Sequence, residues 1–316
     1  MKILFCGETF PVAPPMLRRL LPDEDILASP VGQVTKQGMT VDVIIPLMHR
    51  LEYELIAGTT ARLIHQWGVG LEGVDIPAAT ARGILVCNVP GDATANADST
   101  AEHAVFLMMG LARRIQECFG AFQKGLWGAP LGEALFGNTA LIVGLGRVGK
   151  ALARKLTALG MTVEAIRRIP DPETETTLGV TRTADLSGIL DMASRADFVI
   201  STITLTEETR GLFDRKLFQS MKKTAFVINV SRGPVVDEHD LLQALDEGII
   251  AGAGLDVYSR EPLEPTSPLL SRDDVFATPH VAGATRQNYE GIARILADNL
   301  LLFKAGKTPR FCVNAG

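Results

Sequence analysis

Residues 139–168 read TALIVGLGRVGKALARKLTALGMTVEAIRR, and this stretch decides the fold. Thr139, Ala140, Leu141, Ile142 and Val143 form a short apolar run that reads as a strand buried on both faces. It leads directly into Gly144-Leu-Gly146-Arg147-Val148-Gly149. Val148, Leu152, Leu156 and Leu159 then recur at helical spacing, and Gly160 supplies a stop. A second strand follows, ending at Ile166. Strand, glycine turn, helix and strand make a βαβ unit. The glycines allow a tight turn and close backbone approach to a pyrophosphate, while the N–H groups opening the helix hold phosphate.

The same alternation extends outward in both directions. Apolar runs at 43–46, 63–67, 84–88, 198–202 and 226–230 read as buried strands with helical segments between them. This predicts an α/β protein with parallel sheets covered by helices. A long helix is expected over 98–119, after the small-residue segment PGDATAN at 90–96, where the chain crosses between domains. A second crossing is expected near Arg286, before a helix over 287–303, and the segments 170–177 and 261–268 read as surface loops.

Composition narrows the function classes. The chain has 316 residues, enough for two domains, and a net charge of −5. With no basic run, nucleic acid and anionic membranes are poor partners. No apolar stretch is long enough to span a bilayer, and none resembles a signal peptide. Cys6, Cys87, Cys118 and Cys312 share no metal-ligand spacing, so no metal is expected; they read as small buried hydrophobes. A reducing, cytoplasmic location follows as the default.

Other residues suggest chemistry. A second G-x-G-x-x-G, Gly68 to Gly73, has no ribose-reading residue at the right distance after it. Its closely spaced N–H groups suit a small anion such as a carboxylate, or merely a β–α turn. At the end of the second strand of the βαβ unit, Arg167 and Arg168 replace the acidic residue of an NAD site. Two guanidinium groups there suit a 2′-phosphate, hence NADP(H); the plainer reading is solvated charge. Arg232, Glu261 and His280 each follow a different apolar strand. Together they would make a keto-acid site: the arginine binds a carboxylate and polarises a carbonyl, the histidine exchanges a proton, and the glutamate orients the imidazole and raises its pKa. Spacing alone does not show that they converge.

Six ordered stretches resemble the D-isomer-specific 2-hydroxyacid dehydrogenase family: GVGLEGVDIPAATARGILVCNVPG, TAEHAVFLMMGLAR, ALIVGLGRVGKALARKLTALGM, FVINVSRGPVVDEHDLLQAL, AGAGLDVYSREP and ATPHVAGAT. The resemblance implies two Rossmann-like domains with the active site in the cleft. A flavodoxin-like substrate domain would span 1–95, with 287–316 returning to it. A doubly wound, parallel-sheet dinucleotide-binding domain would span 96–286. It implies that Arg232 is the substrate binder, Glu261 the histidine partner and His280 the acid/base. Val69 and Gly70 would bind the substrate carboxylate through their N–H groups. Gly144, Gly146, Arg147, Val148 and Gly149 would hold the pyrophosphate. Thr202, Ile203, Val230, Ser231, Asp256, His280 and Gly283 would line the rest of the cofactor site, with Asp256 towards the carboxamide.

Several features bear on what the family resemblance implies. Many members carry His-x-Pro where this chain has Thr202-Ile203-Thr204, and Arg167 occupies the position of the usual aspartate. The C-terminal regulatory domain of longer phosphoglycerate dehydrogenases is not expected. A homodimer is implied, with the helix bearing Ala104 to Met109 in the contact or in ordinary core. The expected function is hydride transfer between NADP(H), with NAD as the alternative, and a small 2-keto or D-2-hydroxy acid such as glyoxylate or hydroxypyruvate. The loop Leu47-Met48-His49-Arg50 would meet the far end of the substrate or solvent. A nucleotide-sensing, corepressor-like binding protein stays open, as does a dehydrogenase of phosphorylated or bulkier acids.

Overall fold

A computed structural model describes residues 1–7, 10–29, 40–169 and 171–315. The chain divides into two compact units, Met1–Ala95 with Thr285–Gly316, and Asn96–Ala284. Of the expected loop at 170–177, Pro170 lies outside the described residues.

In the first unit, strands β1 (Lys2–Phe5), β2 (Asp25–Ala28), β3 (Val43–Ile45), β4 (Leu63–His65) and β5 (Leu85–Cys87) form an all-parallel sheet in the order β2-β1-β3-β4-β5. This is the flavodoxin-like order. Helices α1 (Ala13–Leu20), α2 (Tyr53–Gly58) and α3 (Ile76–Ala81) belong to the same unit.

The second unit begins with α4 (Asn96–Ala112) and α5 (Ile115–Gln123). Then come β6 (Thr139–Val143), α6 (Arg147–Ala158), β7 (Thr162–Ile166), α7 (Pro172–Thr177), β8 (Val180–Ala184), α8 (Ile189–Ala193) and β9 (Phe198–Ser201). Helix α9 (Arg215–Ser220), β10 (Phe226–Asn229), α10 (Glu238–Asp246), β11 (Gly252–Leu255) and β12 (Val275–Ala277) complete it. Seven parallel strands lie in the order β12-β11-β10-β9-β6-β7-β8. The order reverses between β6 and β9, which is where doubly wound sheets bind ligands. Finally α11 (Arg286–Lys304) returns to the first unit.

Burial explains the elements. Residues 140–143 of β6 and Val199 and Ile200 of β9 are fully buried, as strands covered by helices on both faces must be. Helix α11 buries Ile292, Ala293, Leu296, Ala297 and Leu300 along one stripe against Ile3, Phe5 and Leu17. Each such leucine or isoleucine contributes about 1.5–3 kcal/mol of burial.

Three expectations need correction. The helix predicted over 98–119 is two, because Glu133 N–H takes the Ala112 carbonyl at 2.7 Å and Arg114 sits in the left-handed region at φ 51°. Residues 172–177 form a helix, capped by the Asp171 carboxylate accepting from Thr174 N–H at 3.2 Å. Cys118 and Cys312 are only half-buried, unlike Cys6 and Cys87.

Candidate active site

The glycine turn leaves β6 at the point of strand reversal, and its shape follows from contacts. Gly144 has φ 104°, and a Cβ there would stand 2.7 Å from the Ile203 Cα. Only glycine satisfies both constraints. The turn is tied to the end of β9 by Thr202, whose hydroxyl donates to the Gly144 carbonyl at 2.6 Å. Gly146 faces open space, with nothing within 4 Å of a Cβ built on it. Beside this gap α6 begins at Arg147 and Val148, and helix starts carry N–H groups without intrahelical acceptors. An open glycine against a helix N-terminus fits the pyrophosphate of a nicotinamide dinucleotide.

The structure divides the arginine pair that follows β7. Arg167 is mostly buried, with Nη1 3.2 Å from Glu175 Oε1 and 3.7 Å from Asp171 Oδ2. Glu175 is held in turn by Asp171 N–H at 3.0 Å and the Thr183 hydroxyl at 3.0 Å. Arg168 is exposed and, among the described residues, pairs with no carboxylate. A 2′-phosphate at this strand end would therefore meet one solvent-facing guanidinium and one already neutralised.

The other three strand ends carry the second half of the site. Asn229, Leu255 and Ala277 lie in register on β10, β11 and β12, so the loops bearing Arg232, Glu261 and His280 leave the same edge of the sheet. Glu261 Oε2 and His280 Nδ1 are 2.6 Å apart. A carboxylate only accepts, so Nδ1–H donates and Nε2 is left as the working nitrogen. The other glutamate oxygen accepts from Tyr258 N–H at 2.9 Å. The turn after Arg232 abuts this loop: a Cβ on Gly233 would fall 1.8 Å from the Tyr258 carbonyl. No larger residue fits there.

Buried polar groups fix these loops, and sequence reasoning did not find most of them. Asn229 is fully buried; its Oδ1 accepts from Ser231 N–H at 3.1 Å and Oγ–H at 2.9 Å, while its Nδ2 donates to the Arg232 carbonyl at 3.0 Å. Ser231 also pairs with Ser201 at 2.7 Å, joining two strand ends, and Val230 beside it is buried.

Asp256 is likewise fully buried, a role its expected place at the carboxamide did not suggest. Its oxygens accept from the Thr278 hydroxyl at 2.7 Å, Val281 N–H at 2.8 Å and Ala282 N–H at 2.8 Å. His103 Nε2 lies 2.9 Å from the Thr278 hydroxyl and 3.4 Å from Asp256. Burial pulls the Asp256 carboxyl upward, but bonds from His103, Thr278, Val281 and Ala282 outweigh it and hold the group below its ordinary range. Gly283 continues the loop that Asp256 holds, half-buried. Tyr258 donates to the Thr278 carbonyl at 2.9 Å, and burial pushes its phenol upward, so it stays a donor. The one legible signal was a polar residue closing an apolar strand, as in Phe-Val-Ile-Asn229.

Val69 and Gly70 belong to the first unit. There the loop's carbonyls are claimed inward: Gly68 by Val89 N–H at 2.9 Å, Val69 by Asn88 Nδ2 at 2.7 Å, and Gly70 by Gln66 Nε2 at 2.7 Å. Among the described residues the N–H groups of Val69 and Gly70 donate to no protein group. Gln66 also bonds the Leu47 carbonyl at 2.9 Å, which sets the 47–50 loop beside this one.

Known proteins resemble this chain over most of its length. A family model described as D-isomer specific 2-hydroxyacid dehydrogenase, NAD binding domain, matches residues 105–282. A glyoxylate reductase of Korarchaeum cryptofilum is 39% identical over 264 residues, 82% of this chain and 77% of that one. The glyoxylate reductase of Thermococcus kodakarensis is 37% identical over 290 residues, 88% of this chain and 85% of that one. Among solved structures, the NADPH-dependent glyoxylate/hydroxypyruvate reductase of Sinorhizobium meliloti, in complex with NADP and malonate, matches with a TM-score of 0.83 and 30% identity. The match covers 99% of this chain and 96% of that one.

Proposed function

The chain belongs to the D-isomer-specific 2-hydroxyacid dehydrogenases, NAD(P)-dependent oxidoreductases that move a hydride between nicotinamide and a 2-keto or 2-hydroxy acid, and within that family we propose an NADP(H)-preferring reductase of small 2-keto acids. The observation that carries the reading is the 2.6 Å contact of His280 with Glu261 on the sheet edge that also bears the glycine turn. When bound, the nicotinamide supplies the hydride. His280, protonated at both ring nitrogens, gives its Nε2 proton to the carbonyl oxygen, while Glu261 holds Nδ1–H and the ring orientation this requires. Arg232 binds the keto acid and polarises its carbonyl. The N–H groups of Val69 and Gly70 hold the substrate carboxylate.

NADP(H) preference rests on the missing acid after β7 and on exposed Arg168. The Sinorhizobium relative, named as NADPH-dependent, supports it. Glyoxylate and hydroxypyruvate are favoured because the glyoxylate reductases cover most of this chain at 37–39% identity. A homodimer is part of the proposal. The second unit exposes Phe119, Phe122, Trp127, Leu131 and Phe136, and exposed large apolar side chains grouped in this way suit an interaction surface.

Turnover with NADPH and NADH, each against glyoxylate, hydroxypyruvate, pyruvate, phenylpyruvate and 3-phosphohydroxypyruvate, tests the reading. NADPH should exceed NADH with a small keto acid, and Arg168→Ala should cut that preference by about tenfold, the worth of one charge-assisted bond. NADH preference in the unsubstituted protein would reduce Arg168 to surface charge. Dinucleotide binding without turnover would favour a sensor.

A further inference from the structure

We propose that Cys87 and Cys312 are a modification site, closing to a reversible intramolecular disulfide at the edge of the first unit's sheet. Cys87 ends β5, the last strand of that sheet, and the C-terminal residues run antiparallel along it. Val313 N–H donates to the Val86 carbonyl at 2.8 Å and Asn88 N–H to the Phe311 carbonyl at 3.4 Å. These bonds flank the Cys87–Cys312 bridge without joining the two residues to each other. The pair thus occupies a non-hydrogen-bonded antiparallel position, where Cα atoms stand about 4.5 Å apart and both side chains share one face. That separation lies inside the disulfide range, at its short end.

Two further observations support the pairing. Asn314 pins the register, accepting from Val86 N–H at 2.7 Å and donating to the Ile84 carbonyl at 2.9 Å. The thiols also feel one another: burial, then the Cys312 thiol, pushes the Cys87 thiol up. Both cysteines are free, Cys87 buried and Cys312 half-buried.

Accessibility sets the order of steps. The Cys312 thiolate attacks one sulfur of a small-molecule disulfide such as oxidised glutathione, and one glutathione thiolate leaves. Cys87 then loses its S–H proton to water, and its sulfur displaces the second glutathione from Cys312. Two cysteine thiols are oxidised and one glutathione disulfide is reduced to two thiols. The second step is the slower, because the Cys87 thiol is held from ionising. The same exchange runs backwards in excess dithiol, which makes the bond reversible.

The full chain, incubated with oxidised glutathione and digested without reductant, tests this by peptide mass mapping. The expected product is a cross-link joining the Cys87 and Cys312 peptides, two of four thiols lost, and both restored by dithiothreitol. Cys312→Ser should keep Cys87 free, while Cys118→Ser should leave the cross-link intact. A persistent glutathione adduct on Cys312 with Cys87 unmodified, or four thiols surviving, would overturn the proposal. The mapping needs no turnover, so its failure is distinct from failure of the proposed reaction.

Discussion

His280 holds a left-handed backbone conformation, φ 53°, that a non-glycine residue adopts when its surroundings impose it. Asp256 imposes it: its carbonyl accepts from His280 N–H at 2.9 Å, and its carboxylate takes the next two N–H groups. Asp256→Asn keeps the shape but sets an amide N–H₂ against one of those donors. The variant should lose about 2–3 kcal/mol in urea unfolding and should also lose turnover, since the loop that aims His280 is released. The pH dependence has a definite sign. A carboxyl depressed in the folded state stabilises it above the unfolded carboxylate pKa, about 3.9, and that contribution is lost as pH falls through the folded value. Acid titration of the parent should show this loss and Asp256→Asn should not. Glu261 and His280, which the structure pairs, were readable because each follows an apolar strand. Asn229 and His103 were not, because a buried polar group acquires its meaning from partners distant in sequence.

At the scale of elements, α11 is fastened to β4 through one neutral histidine. His65 is fully buried, with Nδ1 3.0 Å from the Gln66 carbonyl and Nε2 2.8 Å from Asn299 Nδ2. Donation to the carbonyl through Nδ1–H leaves Nε2 as the acceptor for the amide. Burial lowers its pKa to about 4. The unfolded histidine titrates near 6.5, so between about 6.5 and 4 the unfolded chain binds the extra proton. Stability should fall by on the order of 3 kcal/mol as pH drops through that window. Urea unfolding at pH 7 and 4.5 measures it, and His65→Gln should flatten the slope; equal slopes would show that His65 carries none of it. The periodicity of α6 and α11 was readable because one apolar stripe repeats. The break at Arg114 was not, because Glu133, 21 residues from Ala112, takes the carbonyl that would have continued the helix.

For the whole molecule, the alternation of strands and helices was enough to read parallel sheets covered by helices, the division into two came from the family resemblance, and the strand orders are visible only in the structure. The exposed aromatic surface of the second unit was not readable, since Phe119, Phe122 and Trp127 look like core residues until their exposure is known. Light scattering should give twice the chain mass, and Phe122→Ser with Trp127→Ser should give a monomer. On the reaction proposed above, His280 is the proton donor for a keto acid reduced beside it. The decisive variant is His280→Ala, assayed for both turnover and NADPH binding. Its kcat should be lower by about 10²–10⁴ with the dissociation constant for NADPH unchanged. Turnover near that of the parent, with binding intact, would contradict it.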